Sequence, residues 1–248
     1  MTARRILAFD TAGAACSAAV WGHDRILARL FEPMTRGQSE RLVPMIQEVM
    51  ASAALDFREL EAIAVTRGPG GFTGVRIGLA TARGLALACG RPLLGLSNFE
   101  AVAASVPEPE RCGRRLAVLI DARRLELYMQ IFDEELAPYG APSCVAPAGL
   151  RDALPAGPLV LAGDAVDQGL AGLAGARGKD ITVCRRAAAT DAAEVARLAA
   201  ARPLPAAGAA PPAPLYLRPP DVGTIGAGPP GVNPPGASWA PGEPDGSP

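Results

Sequence analysis

The sequence holds one histidine, His23, and one lysine, Lys179. With a single histidine there is no H-E-x-x-H helix and no other two-histidine metal motif. Lys179 has no glycine-rich context, so there is no G-x-x-x-x-G-K-[ST] phosphate loop. A Ser-His-Asp arrangement could draw only on His23, which follows Trp21-Gly22 and reads as a surface turn residue. The cysteines are Cys16, Cys89, Cys112, Cys144 and Cys184. Their number is odd and no two form C-x-x-C, which excludes a disulfide framework and a thiolate zinc site. No metal site is expected. Charge of one sign is also lacking: 24 Lys+Arg stand against 25 Asp+Glu. A chain so balanced does not grip nucleic acid strongly by itself, because phosphate affinity needs a basic surface. No apolar run approaches the ~18–20 residues that span a bilayer. The short run Ile6 to Phe9 is broken by Asp10 and is too short for a signal-peptide core. The expectation is a soluble, cytoplasmic protein without membrane contact.

What is present is apolar and patterned. Hydrophobic residues make up 49% of the 248, enough for a core. Arg5 to Asp10, Ser17 to Trp21 and Ile26 to Phe31 read as three short strands of an antiparallel meander. Residues Ser39 to Ala54 switch to helical period, with Leu42, Met45, Ile46, Val49 and Met50 on one stripe. Pro44 belongs in the first turn or so of that helix, or kinks it. Ala62 to Thr66 is a strand, Phe72 to Cys89 a helix, Leu93 to Ser97 a strand, and Asn98 a cap for a helix to about Ser105. The proline-marked stretch Val106 to Gly113 reads as a boundary. Beyond it come strands at Leu116 to Asp121, Leu125 to Phe132 and Leu159 to Ala162. Asp191 with Glu194 starts a helix to about Ala201. The division expected is an N-terminal lobe over 1–105 and a C-terminal lobe over 114–202. A docking segment over 203–220 carries the apolar island Leu215 to Leu217, and a Pro/Gly-rich flexible tail covers 221–248. From Pro203 on, 22 of 46 residues are Pro or Gly, too many for a packed core.

Three constellations could carry chemistry. Arg67-Gly68-Pro69-Gly70-Gly71-Phe72-Thr73-Gly74 lies between a strand and a helix. Pro69-Gly70 suits the centre of a type II turn. The segment reads equally as a phosphate cradle at a helix start or as a tight strand-to-helix connection. It is not a dinucleotide fingerprint: the third glycine is missing and no acidic residue follows at ribose distance. Asp10-Thr11 ends one strand and Asp121 another. Two such carboxylates facing one cleft would suit a phosphotransferase with a metal-bound water. Finally, Gly74, Gly78, Ala82 and Ala86 form a flat ridge every four residues, suited to close helix packing. With the stripe of residues 42–50 this ridge reads as a dimerisation surface; the bland alternative is that both are core.

Taken together, RILAFDTAGAACSAAVW, QSERLVPMIQEVM, RGPGGFTGVRIGLATARGLAL, IDARRLELYMQIF and PLYLRPP resemble the TsaB family. That family is the dimerisation subunit of the bacterial tRNA threonylcarbamoyladenosine machinery. The likeness is clear over residues 5–132 and loose over 159–220, and GPGGFTGVRIG is its specific part. It implies an α/β protein of the actin-like ATPase (ribonuclease-H-like) fold, with two lobes of mixed sheets flanked by helices. It implies a non-catalytic scaffold that binds the threonylcarbamoyltransferase TsaD and works with the ATPase TsaE. Contact with tRNA would come through the complex only, and the chain alone could pair as a homodimer. No cofactor is implied beyond weak or shared nucleotide in the complex, with Asp10, Thr11, Gly68, Gly70, Gly71, Thr73 and Asp121 as a vestigial site. The family often has His before Ser-Glu-Arg-Leu, where this chain has Gln38. Leu125 also replaces the glycine common in the hairpin after Asp121. The reading that competes is an active actin-fold ATPase or kinase using Asp10 and Asp121. A metalloprotease fails for want of zinc ligands.

Overall fold

A computed structural model describes residues 4–123, 125–173, 180–206 and 208–218. The expected tail at 221–248 lies outside them. The first sheet is built from β1 (Ile6–Asp10), β2 (Ala15–Gly22), β3 (Arg25–Pro33), β4 (Ala62–Thr66) and β5 (Leu93–Leu96). Their order is β3-β2-β1-β4-β5; β1, β2 and β3 pair antiparallel, while β4 and β5 are parallel to β1. His23 and Asp24, both with positive φ, make the two-residue turn between β2 and β3. Such turns match the twist of the flanking strands.

The second sheet contains β6 (Arg115–Asp121), β7 (Leu127–Phe132), β8 (Ser143–Val145), β9 (Leu159–Ala162) and β10 (Ile181–Val183). Its order is β10-β9-β6-β7-β8, with the same antiparallel and parallel pairings. Read from the first strand of each sheet, both follow one plan: a meander of three strands, then two parallel strands on the other side of the first. This doubled plan is the actin-like ATPase fold.

Helices cover both faces of the first sheet, which is why β1 is buried at every position. On one face lie α1 (Gln38–Ser52) and α2 (Phe72–Cys89), against Leu7, Phe9, Val20, Ile63 and Val65. On the other face α7 (Ala192–Ala200) packs against Ile6, Ala8, Ala62 and Ala64. The alternation along β1 sorts these contacts, since successive side chains point to opposite faces. α3 (Asn98–Ala104) sits between α7 and the second sheet, where Phe99 and Val102 join the core around Leu116, Val118 and Phe132. Thus α7 follows the second sheet in the chain yet packs on the first. The short helices α4 (Glu108–Arg111), α5 (Leu150–Ala153) and α6 (Val166–Gly172) complete the connections.

Two local expectations change. The α3 cap is Ser97, not Asn98: Ser97 accepts from the Glu100 N–H at 3.1 Å and Glu100 closes the capping box. Pro44 lies in the second turn of α1 on its exposed side, where water can serve the carbonyl that it leaves unpaired.

Candidate functional site

Asp10 ends β1 and is fully buried. Its Oδ1 accepts from Thr66 Oγ1 at the end of β4, from Asn98 Nδ2 at 2.8 Å and from the Ala12 N–H at 3.3 Å. Asn98 extends this network: Nδ2 also donates to Thr190 Oγ1 at 3.0 Å, and Oδ1 accepts from the Gly68 N–H at 3.0 Å. Asp10 Oδ2 has no hydrogen-bond partner among the described residues. Burial pushes the Asp10 carboxyl above the usual carboxylate range, and the bonds from Thr66, Asn98 and Ala12 only partly oppose it. Desolvation disfavours the charged form. The aspartate ties β1, β4, α3 and the approach to α7 together, with no access to solvent.

The loop after Asp10 rests on the start of α2. Gly71 N–H donates to the Ala12 carbonyl at 2.7 Å, and Thr11 Oγ1 donates to the Gly74 carbonyl at 2.8 Å. A Cβ at Gly70 would stand 2.5 Å from the Ala12 oxygen, and one at Gly74 would overlap the Thr11 oxygen. These two glycines are therefore required by close packing of the loop on the helix. The turn itself differs from a type II turn: Gly68 has φ of 101°, the Gly68–Pro69 peptide is cis, and Gly70 is not in the left-handed region. Gly71 precedes α2 without a side-chain cap.

Thr11, Gly71 and Thr73 line a cavity of about 410 Å³ with Thr35, Arg36, Ser39 and Arg123. Ala12, Phe72 and Ile77 also line it, and its charged lining residues are Arg36 and Arg123, so the pocket is mixed in character and positive. Asp10 and Asp121 are not in its lining. Asp121 instead turns into its own loop, where Oδ1 accepts from the Arg123 N–H at 2.7 Å and its own N–H donates to Asp164 Oδ1 at 2.8 Å. The two strand-end carboxylates do not meet in this cavity. Among the described residues no group of three His, Cys, Asp or Glu could hold a metal ion.

The expected dimerisation residues fall on the inward faces. Leu42, Met45, Ile46, Val49 and Met50 are buried in the first core, as are Gly78 and Ala82. Gly74 and Ala86 are half-buried, one under Thr11 and the other against the same core. This is a correction: α1 and α2 spend that stripe on their own sheet. Among the residues they turn outward are Val43, Pro44 and Gln47 on α1, with Ala80, Gly84 and Ala88 on α2, beside the charged Glu48, Arg76 and Arg83. A Cβ at Gly84 would meet nothing within 4 Å.

Thr66, Asn98 and Thr190 were not among the expected site residues. A signal for Thr66 existed: it closes an otherwise apolar strand, where a buried hydroxyl needs a partner.

The chain resembles proteins of one group. A family model described as TsaD, tRNA N6-adenosine threonylcarbamoyltransferase, matches residues 32–175. A protein of Escherichia coli K12 named tRNA threonylcarbamoyladenosine biosynthesis protein TsaB is 41% identical over 124 residues, which is 50% of this chain and 53% of that protein. The protein of the same name from Haemophilus influenzae is 37% identical over 123 residues, 50% of this chain and 51% of its own. The chain thus spans about half the length of the curated relatives it matches. Among solved structures, YeaZ from Pseudomonas aeruginosa superposes with a TM-score of 0.67 at 29% identity, over 79% of this chain and 90% of that one. A Pseudomonas aeruginosa protein described as similar to peptidase YEAZ reaches 0.70 at 30% identity, over 87% of this chain and all of that one.

Proposed function

Since the chain belongs to the TsaB (YeaZ) family, we propose that it is a non-catalytic scaffold subunit of tRNA threonylcarbamoyladenosine modification. Its partner in this reading is a TsaD-type transferase, with a TsaE-type ATPase joining the assembly and tRNA held by the assembly as a whole. One observation carries the proposal: α1 and α2 lie side by side, and among the residues they turn to solvent are several small or apolar ones. Val43 is 49% exposed, and Ala80, Gly84 and Ala88 leave a bare track along α2. A bare track lets a partner helix approach closely. A pair of such helices on each partner makes a four-helix contact, and the chain alone can use the same face to pair with itself.

The sealed Asp10 supports a scaffold over a working phosphotransferase, because a carboxylate with no exposure cannot position a substrate-bound metal. Nucleotide in this reading is shared with the partner at the positive cavity beside α2.

The test is binding of a TsaD-type subunit to Gly84→Arg and Val43→Asp variants. Both positions face solvent, so both variants should fold, with unchanged circular dichroism. Loss of a central contact typically costs ~2 kcal/mol or more, about 30-fold in affinity. Wild-type affinity in both variants would overturn the proposal. Hydrolysis of ATP by the isolated chain, abolished by Asp10→Ala, would favour the kinase reading instead.

A further inference from the structure

After α7 the chain does not leave the body. Residues 203–206 and 208–218 run back along the flank of α2, beside the edge strand β5. Pro212 lies over Gly95, and its carbonyl accepts from Arg83 Nη2 at 2.8 Å. The Leu215 N–H donates to the Arg67 carbonyl at 2.6 Å. Tyr216 packs on Phe72 with ring centroids 5.3 Å apart, and Arg76 Nε donates to its hydroxyl at 3.1 Å. Between this strap and the C-terminal half of α2 a groove of about 680 Å³ stays open.

The groove has an unusual wall. Leu87, Leu93, Leu204 and Pro211 make it apolar, and Leu87 is 85% exposed. Its charged lining residues are Arg83 and Arg91, without any Asp or Glu. Among the described residues neither arginine meets a carboxylate; their guanidiniums reach only the Pro212 and Arg58 carbonyls. Arg91 Nε is buried with no acceptor. A leucine so exposed at the edge of an apolar groove is a cost in the free chain. A ligand that brings an apolar side chain covers it, and a carboxylate on the same ligand answers the two arginines that line the groove.

We infer that the groove between α2 and the strap docks a protein segment with apolar residues flanked by Asp or Glu. The occupant is a helical or extended stretch of another protein, chosen by charge complementarity to Arg83 and Arg91. A nucleic-acid backbone would answer the arginines but leave Leu87, Leu93 and Leu204 unsatisfied. The groove lies on the strap side of α2; Ala80, Gly84 and Ala88 are not in its lining, although Arg83 and Leu87 adjoin them.

Two fluorescein-labelled probe peptides test this. One is an amphipathic helix of Leu and Glu, and the other is its twin with Lys for every Glu. Fluorescence anisotropy with the full chain should show saturable binding of the Glu peptide and none of the Lys peptide. Leu87→Glu, at a solvent-facing position that cannot disturb the core, should weaken the Glu peptide at least tenfold. The pair Arg83→Glu with Arg91→Glu should do the same and should gain the Lys peptide. Val43→Asp, on α1 and outside the groove lining, should leave the Glu peptide unchanged, which separates this groove from the TsaD-facing surface. No binding of the Glu peptide, or equal binding by Leu87→Glu, overturns the inference. So does a labelled tRNA that binds wild type and is lost in the double arginine variant while the Glu peptide does not bind, since the groove would then be a nucleic-acid contact.

Discussion

Replacing glycine by alanine at two positions of α2 should move stability in opposite directions. At Gly74 the new methyl would overlap the Thr11 carbonyl oxygen, well inside the 3.0 Å that real Cβ contacts respect. Backbone cannot swing aside as a long side chain can, so the whole Thr11–Ala12 loop must lift from the helix. Two hydrogen bonds hold it there: Gly71 N–H to Ala12 and Thr11 Oγ1 to Gly74. At roughly 0.5–1.5 kcal/mol each, their loss costs about 1–3 kcal/mol. The gain in helix propensity returns at most ~1 kcal/mol. Because Asp10 and Ala12 share one turn, the lifted loop also disturbs the Asp10 network, so the net loss should sit near ~2 kcal/mol. At Gly84 the same methyl meets nothing within 4 Å. There the propensity gain stands alone, about 0.5–1 kcal/mol of stabilisation. Urea unfolding of both variants and wild type, compared at equal m-value, reads both effects. If Gly74→Ala is as stable as wild type, or if both variants shift the same way, the loop-on-helix account of the glycine-rich segment is refuted.

Other outcomes follow from burial and charge. Asp10 has a raised carboxyl pKa in the folded chain, so its favourable state is the protonated one. Its contribution is fully present below the unfolded pKa of ~3.9 and is lost as pH rises through the folded value. Asp10→Asn should therefore gain stability relative to wild type as pH goes from 4 to 8; a difference that is flat with pH would contradict this. Ile46→Ala should cost about 2–5 kcal/mol and Ile46→Arg should prevent folding, because Ile46 is 2% exposed in the first core. Circular dichroism showing a folded Ile46→Arg chain would return that stripe to the surface. Ser97→Ala should cost ~1 kcal/mol or more through loss of the α3 capping box, with thermal melts as the check.

Much of the first sheet was legible because its strands alternate and its helices are long. The spacing placed α2 at Phe72 to Cys89 and β4 at Ala62 to Thr66, as the structure has them. β8 and β10, three residues each, escaped notice because so short a run has no period to detect. α6 escaped for a related reason: it lies between glycines and carries few large apolar residues. The inward or outward sense of α1 and α2 was not legible either. Periodicity finds an apolar stripe but does not say what covers it, and the outer face of α2 is also poor in charge. The expectation of an interface on Leu42 to Met50 failed on that point. The phosphate-loop question turned on contacts between residues 12 and 70 that no local pattern contains. The two aspartates looked alike as strand ends. Only the side chains that reach Asp10 from distant elements, Asn98 from α3 and Thr66 from β4, separated a sealed Asp10 from an Asp121 that bonds within its own turn.

The placement of α7 bears on how the chain is made. Ile6, Ala8, Ala62 and Ala64 form an apolar face within the first hundred residues, but the helix that covers it starts at Ala192. The Ala192 N–H reaches back to Ser17 Oγ, 175 positions earlier in sequence. A nascent chain emerging from the ribosome at ~5–20 residues per second therefore carries that open face for several seconds before the cover arrives. During that interval the first sheet is an aggregation hazard rather than a finished domain. Fragments that stop short of about residue 190 should be insoluble, however well their strands pair. The late helix α7 thus sets the moment at which the earliest strands become safe, and folding must wait on translation.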